Sequence, residues 1–145
     1  MTKIRPMEIL LIEDNDNDAE LTLRALEEYR LSNLVRRLAD GQEALDYLFA
    51  TEAEGDNQRL PQLILLDLKL PRVNGLQVLQ AIKADPRTKA IPVVVLTSST
   101  EEPDVQACYQ LGVNSYIVKP VEFEKFIESV KNLGLYWLLY NHLPF

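Results

Sequence analysis

Acidic, hydroxyl and basic side chains stand directly after four short apolar runs in this 145-residue chain. Glu13 and Asp14 follow the first of these runs, and Asp67, Thr97 and Lys119 follow the others. Carboxylates that meet at one place repel one another unless a cation compensates their charge, and an all-oxygen set of this kind suits Mg²⁺. A divalent cation, an ammonium group and a hydroxyl are together what a phosphoryl group needs. Asp67 is the candidate nucleophile, because a carboxylate can accept a phosphoryl group.

The apolar runs alternate with amphipathic segments along the whole chain, which predicts buried strands separated by helices. The second strand carries Arg36 and Arg37 and is therefore expected near an edge of the sheet. The five predicted strands are residues 9–12, 33–38, 63–66, 92–96 and 116–118. Five strands that are each followed by a helix predict an α/β fold with a doubly wound parallel sheet, in the order 2-1-3-4-5. Ligands of such sheets bind beyond the carboxyl ends of the strands, so the polar residues are expected to meet there.

Local signals predict where several helices begin and end. Asp16 or Asn17 is expected to cap the first helix, since short polar side chains accept hydrogen bonds from its first turn. Asp40 and Glu43 have the spacing of a capping box ahead of the second helix. Gly112 is expected to end the fourth helix.

Composition excludes several classes of protein. The formal net charge of −7 argues against non-specific nucleic-acid binding, because a phosphate backbone would be repelled. A single cysteine, Cys108, excludes a disulfide framework and a cysteine-based zinc site, and the single His142 excludes a histidine-rich metal site. No apolar run approaches the roughly 20 residues of a membrane span, and the N-terminus lacks a long apolar signal core. A small acidic cytoplasmic domain with no membrane or nucleic-acid partner is the expectation.

Other chemical motifs fail on their spacing. The segment that begins at Asp14 matches the first three positions of an EF-hand loop, but Ala19 and Ala25 stand where that loop needs glycine and a bidentate glutamate. The five glycines form neither a dinucleotide-binding nor a Walker A pattern, and there is no G-x-S-x-G nucleophile motif.

The segments LLIEDN, LILLDLKLPRVNG, VVLTSS and YIVKP resemble the receiver domain of two-component response regulators, in that family's order and spacing. More narrowly, the chain is similar to the small single-domain regulators that accompany cyanobacterial phytochromes. This resemblance implies a (βα)5 flavodoxin-like receiver fold over residues 1–133. Residues 134–145 would form an apolar C-terminal extension of the same domain.

The resemblance assigns roles to the acidic residues. Asp67 would be the phosphoacceptor and Asp14 a direct ligand of Mg²⁺. Glu13 would hold the ion mostly through water, and the backbone carbonyl of Lys69 would complete the site. The side chains of Lys69 and Ser99 would tune the lifetime of the phosphoryl group by shaping the access of water.

The resemblance also assigns a switch. Lys119 would pair with the phosphoryl oxygens, and its peptide bond to Pro120 is expected to be cis. Thr97 would turn its hydroxyl toward the phosphoryl group while the ring of Tyr116 turns inward. The surface around the fourth helix and fifth strand would then change its binding partners.

The function implied is that of a stand-alone response regulator in a two-component or phosphorelay pathway. A histidine kinase, expected to be of the phytochrome type, would phosphorylate Asp67, and the signal would leave through protein contacts or onward phosphotransfer. The chain is not expected to be an enzyme beyond slow hydrolysis of its own aspartyl phosphate. One alternative is a phosphate-independent receiver-fold interaction module. A small phosphatase with an aspartate nucleophile is a third hypothesis, but Lys69 stands where its general acid would be.

The C-terminal tail is unusually apolar and aromatic. It either folds back on its own domain or forms an interface, with a second copy or with a kinase. Aromatic residues are favoured at such interfaces. We predict a homodimer built on the fifth helix and this tail.

Overall fold

The computed structural model describes residues 8–28, 31, 34–49, 60–98, 103–113 and 115–135, and the structural statements below concern these residues. Strands and helices alternate as the sequence predicts. The elements are β1 (Ile9–Ile12), α1 (Asp16–Glu27), β2 (Val35–Leu38), α2 (Gly41–Leu48), β3 (Leu63–Asp67), α3 (Gly75–Ala84), β4 (Val93–Thr97), α4 (Pro103–Gln110), β5 (Ser115–Val118) and α5 (Phe123–Asn132).

The five strands form one parallel sheet in the order β2-β1-β3-β4-β5, which confirms the predicted topology. Every residue of β1, β3 and β4 is buried, as expected for strands that helices cover on both faces. The strand β2 lies at an edge and exposes Arg36, which confirms that prediction as well. The strand after β1 is added on one side of it and β3 on the other, so the strand order reverses between β1 and β3. The carboxyl ends of these two strands therefore border a crevice.

The sheet separates two apolar cores. Successive residues of a strand point to opposite faces, so Ile9 and Leu11 pack on one side while Leu10 and Ile12 pack on the other. The helices α1 and α5 cover the first side, where Phe126 is fully buried. The helices α2, α3 and α4 contribute to the second core.

The first helix begins one residue earlier than its sequence signals predict. Asn15 is the N-cap of α1, because its side-chain oxygen accepts a hydrogen bond of 2.9 Å from the backbone N–H of Asp18. The predicted caps, Asp16 and Asn17, are the first two residues of the helix instead. Three successive residues can each act as a cap, and only the backbone geometry after β1 selects one of them.

The other predicted helix ends agree with the structure. Asp40 caps α2 by accepting a 2.7 Å hydrogen bond from the backbone N–H of Glu43. The side chain of Glu43 turns back and accepts a hydrogen bond from the backbone N–H of Ala39. In an ordinary capping box the donor would be the N–H of the N-cap residue, Asp40. Gly112 follows α4 with a φ of 96°, the left-handed conformation that glycine adopts readily.

The described part of the C-terminal segment turns back toward its own domain. After Gly134, which has a φ of 74°, Leu135 is buried and joins the core beneath α1 and α5. The remaining residues of the tail, 136–145, lie outside the described residues, so the predicted homodimer stays a prediction. Among the described helices, none combines the length and the apolar character needed to cross a membrane.

Candidate functional site

A cavity of about 240 Å³ opens at the carboxyl ends of β1, β3, β4 and β5. It is lined by Glu13, Asp14, Asn15, Asp18, Asp67, Leu68, Lys69, Thr97, Ser98 and Lys119. All the predicted phosphoryl-binding and metal-binding residues are in this set. Ser99 lies outside the described residues, and Tyr116 lies elsewhere on β5.

Three carboxylates meet in this cavity. One oxygen from each of Glu13, Asp14 and Asp67 lies within 4.8 Å of the other two. Glu13 and Asp67 are buried, whereas Asp14 is exposed and gives the cluster an open side. The Oε1 atom of Glu13 is buried and lies within ion-pair distance of Lys119, but that contact lacks hydrogen-bond geometry. An all-oxygen set with such an atom fits a hard divalent cation, so these residues can hold Mg²⁺.

The ammonium of Lys119 lies beside this acidic cluster and partly compensates its charge. Its Nζ is 2.9 Å from Oε1 of Glu13, 3.0 Å from Oδ2 of Asp18 and 3.3 Å from Oδ2 of Asp67. The contact with Asp18 also has the geometry of a hydrogen bond. Four acidic residues and two lysines, Lys69 and Lys119, line the cavity, so its acidic groups outnumber its basic ones.

Two charged groups of the site, Glu13 and Lys119, have shifted pKa values. Burial raises the pKa of Glu13 to about 7, and the negative charge of Asp67 adds to this, although the contact with Lys119 opposes it. Burial on its own would lower the pKa of Lys119. The close contacts with Glu13 and Asp18 and the negative charge of Asp67 outweigh burial and raise the pKa of Lys119 above its usual value.

The segment after β3 holds Asp67 in place. Asp67 is the last residue of that strand, and its Oδ1 accepts a 3.2 Å hydrogen bond from the backbone N–H of Lys69. The next backbone group, Leu68 N–H, continues the pairing with β4 by donating to Leu96 at 3.3 Å. The carbonyl of Leu68 accepts a 2.9 Å hydrogen bond from the backbone N–H of Gly75 at the start of α3. The backbone is therefore tied on both sides of the candidate nucleophile.

Neighbouring strands place the remaining groups. Thr97 ends β4, and its carbonyl accepts a 2.8 Å hydrogen bond from the backbone N–H of Lys119. The peptide bond between Lys119 and Pro120 is cis, as the resemblance implies. At the other side of the site, Arg37 donates from Nε to the carbonyl of Glu13 at 3.0 Å, so the edge strand β2 supports the end of β1.

Tyr116 lies on β5, outside the cavity. Strand register pairs Tyr116 with Val95 and Val118 with Thr97, so the tyrosine lies two residues before the level of the threonine. Its half-buried ring packs edge-on against Tyr109 of α4, with ring centroids 5.9 Å apart and an interplanar angle of 86°. The ring is therefore in contact with α4, the helix whose surface is expected to change its binding partners.

Asp18 is the cavity residue whose role sequence reasoning missed. Asp16 and Asp18 both lie in the first turn of α1, where sequence patterns explain acidic residues simply as charges that suit a helix N-terminus. Asp18 instead contacts Lys119, which lies 101 residues later in the chain. A signal was available, because Asp18 lies in the first turn of α1, which begins only two residues after Asp14.

The parallel strands bring an acidic cluster, a threonine and a lysine together at their carboxyl ends. This arrangement is that of a receiver domain, and a comparison with protein families agrees. The family model described as "Response regulator receiver domain" matches residues 9–131. The chain therefore belongs to the response regulator receiver family.

Curated relatives cover almost the whole chain. It is 45% identical over 139 residues to the "Probable methanogenesis regulatory protein FilR2" of Methanothrix harundinacea (strain 6Ac), covering 96% of this chain and 88% of that protein. It is 40% identical over 139 residues to the "Response regulator Rcp1" of Synechocystis sp. (strain ATCC 27184 / PCC 6803 / Kazusa), covering 96% of this chain and 94% of the relative. A solved structure of Rcp1 in its Mn²⁺-bound form has a TM-score of 0.73 and covers 97% of this chain and 100% of that one.

Two further solved structures belong to phytochrome response regulators. The bacteriophytochrome response regulator RtBRR is 50% identical, with a TM-score of 0.83, over 97% of this chain and 85% of its own. The phosphorylated cyanobacterial phytochrome response regulator RcpA is 41% identical, with a TM-score of 0.72, over 92% of this chain and 95% of its own. The chain is thus homologous to phytochrome response regulators.

Proposed function

We propose that this protein is a phosphorylation-dependent switch that receives a phosphoryl group from a histidine kinase on Asp67. The observation that carries the proposal is the contact of Asp67 with Lys119 inside a cavity that also holds Glu13 and Asp14. A buried carboxylate beside an ammonium and a cation site has what an aspartyl phosphate requires. RcpA, a homologue, has been solved in a phosphorylated form.

The proposed transfer involves one bond formed and one bond broken. A carboxylate oxygen of Asp67 forms a new bond to phosphorus, and the bond between phosphorus and the imidazole nitrogen of a phosphohistidine breaks. The imidazole leaves with the electron pair and takes up a proton. Lys119 neutralises one of the phosphoryl oxygens, and the hydroxyl of Thr97 donates to another. Water would later attack the phosphorus slowly and break its bond to the carboxylate oxygen, which returns the carboxylate and releases inorganic phosphate.

The residues that would hold the cation are Glu13, Asp14, Asp67 and the backbone carbonyl of Lys69. When bound, Mg²⁺ would neutralise the phosphoryl oxygens during transfer. Glu13 and Asp14 place their carboxylates beside the nucleophile, where they would hold the ion. Support comes from the cluster of three carboxylates and from the Mn²⁺-bound structure of Rcp1.

The switch would couple the cavity to the surface of α4 and β5. Thr97 would move its hydroxyl toward the phosphoryl group, and Tyr116 would follow by turning inward from its contact with Tyr109. Lys69 borders the cavity and is exposed, which suits a residue that controls the access of water to Asp67. Ser99 is also proposed to control the lifetime of the phosphoryl group. For Ser99 this rests only on its place in the sequence motif of the family.

A phytochrome-type histidine kinase is the proposed partner, because RtBRR and RcpA are named as phytochrome response regulators. FilR2, which is also similar, is named as a probable methanogenesis regulatory protein. A test of phosphotransfer to Asp67 should therefore compare a phytochrome-type kinase with a kinase of a second type. The onward partner would be a phosphotransfer protein or a target that binds the changed surface. Residues 134–145 and α5 are proposed as the contact between two copies, and sedimentation with and without phosphorylation tests this.

Intact-mass analysis after incubation with acetyl phosphate and Mg²⁺ tests the central proposal. We expect one added phosphoryl group in the parent protein, none without Mg²⁺, and none in Asp67→Asn. The variant Asp46→Asn is a matched control, because it removes an exposed aspartate on α2 that is hydrogen-bonded to Gln42. No adduct under conditions that label a control receiver would contradict the proposal and favour a phosphate-independent interaction module.

A further inference from the structure

Lys119 is held by three carboxylates in the structure, and one of them has no part in the function proposed above. The ammonium contacts Glu13, Asp18 and Asp67 at 2.9, 3.0 and 3.3 Å. A lysine ammonium has three N–H donors, and the contact with Asp18 has the geometry of a hydrogen bond that occupies one of them. A phosphoryl oxygen that binds this ammonium therefore competes with Asp18 for a donor.

Asp18 is the carboxylate that can leave at the lowest cost. Its side chain is 34% exposed, whereas the side chains of Glu13 and Asp67 are 0% and 6% exposed. Water can satisfy an exposed carboxylate after it is released, but a buried one would be left without partners. Glu13 and Asp67 also belong to the carboxylate cluster, and Asp67 is the proposed acceptor itself.

Asp18 is nevertheless a real competitor for the ammonium. Its contact with Lys119 has hydrogen-bond geometry, and a hydrogen bond between two charged groups is stronger than one between neutral groups. The backbone of Asp18 is fixed as well, because its N–H donates to the capping side chain of Asn15. The carboxylate is therefore presented to the cavity from the first turn of α1 and needs no rearrangement of the backbone to reach Lys119.

We propose that Asp18 is a positioning residue that competes with the phosphoryl group for Lys119 and so sets how readily the site accepts that group. The inference rests on the proposed function, since it concerns the regulation of the same site. While Asp18 holds the ammonium, the site is not competent for an anionic group. The apparent affinity for such a group is reduced by the fraction of molecules in which the ammonium is released.

Asp16 supplies a matched control on the same helical turn. Its carboxylate pairs with Arg37 at 2.8 Å and its side chain is 90% exposed. The change Asp16→Asn removes the same charge as Asp18→Asn and leaves the contacts of Lys119 in place. A general change in the field around α1 would therefore affect both variants, whereas competition for Lys119 affects only one.

Titration with beryllium fluoride at saturating Mg²⁺ tests the inference, since this anion mimics a phosphoryl group on a carboxylate and its bound form is seen by ¹⁹F NMR. We expect Asp18→Asn to lower the half-saturating concentration roughly three- to fivefold, the effect of losing one partly exposed ion pair. Asp16→Asn should change it by less than about twofold, because solvent and salt screen an exposed charge. Asp18→Glu restores the carboxylate and should remain within about twofold of the parent protein.

The outcomes separate this inference from the proposed function. Tighter binding in Asp18→Asn alone supports competition, because a merely structural loss at the start of α1 would weaken binding. Equal effects of Asp18→Asn and Asp16→Asn, or weaker binding in Asp18→Asn, would overturn the inference while leaving the switch intact. If the parent protein binds no more than Asp67→Asn does, the proposed function fails, and the role of Asp18 fails with it.

Discussion

A Cβ atom placed on Gly75 would lie 2.2 Å from the backbone oxygen of Asp67 and 2.5 Å from the Cα atom of Leu68. Gly75 is the first residue of α3, and its N–H donates to the carbonyl of Leu68. The helix therefore begins in direct contact with the backbone of the proposed phosphoacceptor. A side chain at this position would push the start of α3 and the end of β3 apart.

The variant Gly75→Ala is expected to be less stable by about 1–3 kcal/mol, the usual cost of forcing an extra methyl group into a close-packed site. Phosphoryl uptake should slow as well, because the backbone that carries Asp67 must shift. Urea unfolding and intact-mass kinetics measure the two effects. Gln80→Ala, on the exposed side of the same helix, should stay within about 0.5 kcal/mol of the parent protein. Unchanged stability in Gly75→Ala would contradict the close contact.

Stability of the metal-free protein should depend on pH through Glu13. Its pKa rises from 4.5 to about 7 on folding, so the folded state binds the proton more tightly than the unfolded state. This contribution to stability is complete below about pH 4.5 and is lost as the pH rises through about 7. The difference amounts to about 3 kcal/mol at most.

The variant Glu13→Gln isolates the contribution of Glu13 to the pH dependence of stability, because a glutamine side chain does not ionise. The free energy of unfolding, measured in a chelator at about pH 5 and about pH 8, should fall more in the parent protein than in the variant. Groups that titrate in both proteins cancel in this comparison. Identical pH dependence in the two proteins would show that the Glu13 pKa is not raised.

Mg²⁺ should stabilise the folded protein, because the carboxylate cluster forms only when β1 and β3 pair. At a concentration one hundred times the dissociation constant, the expected gain is about 2.7 kcal/mol. Asp14→Asn should abolish most of this gain without loss of metal-free stability, since Asp14 is exposed and its removal relieves repulsion within the cluster. Thermal unfolding with and without Mg²⁺ measures the gain. The control Asp46→Asn should respond as the parent protein does, and an equal gain in Asp14→Asn would argue against this site.

Thr97 should connect the phosphoryl group to Tyr116. On addition of beryllium fluoride and Mg²⁺, the ring resonances of Tyr116 should shift in the parent protein, and Thr97→Ala should bind the anion with the ring resonances unmoved. Aromatic NMR follows the ring directly. Thr88→Ala is the matched control, because it also removes a buried hydroxyl, one that donates to the carbonyl of Ile82 at 2.7 Å. A full Tyr116 shift in Thr97→Ala would exclude the threonine as the connection.

The sequence alone determined the sheet and the set of residues at its edge. Apolar runs of three to five residues are too short for helices, and parallel strands joined through helices can connect in few ways. Asp67, Thr97 and Lys119 each follow such a run directly. Their convergence was therefore predictable from the positions of the strand ends, without any knowledge of side-chain contacts.

Tertiary structure decided which of the converging groups touch. Among three adjacent candidates, the turn after β1 selected Asn15 as the cap of α1, and the fold brought the carboxylate of Asp18 against Lys119. The packing of α4 beside β5 likewise brought Tyr109 against Tyr116. These contacts depend on how helices rotate and settle on the two faces of the sheet, which is a property of whole-core packing. Local periodicity records only which side of an element is apolar, so it could not supply them.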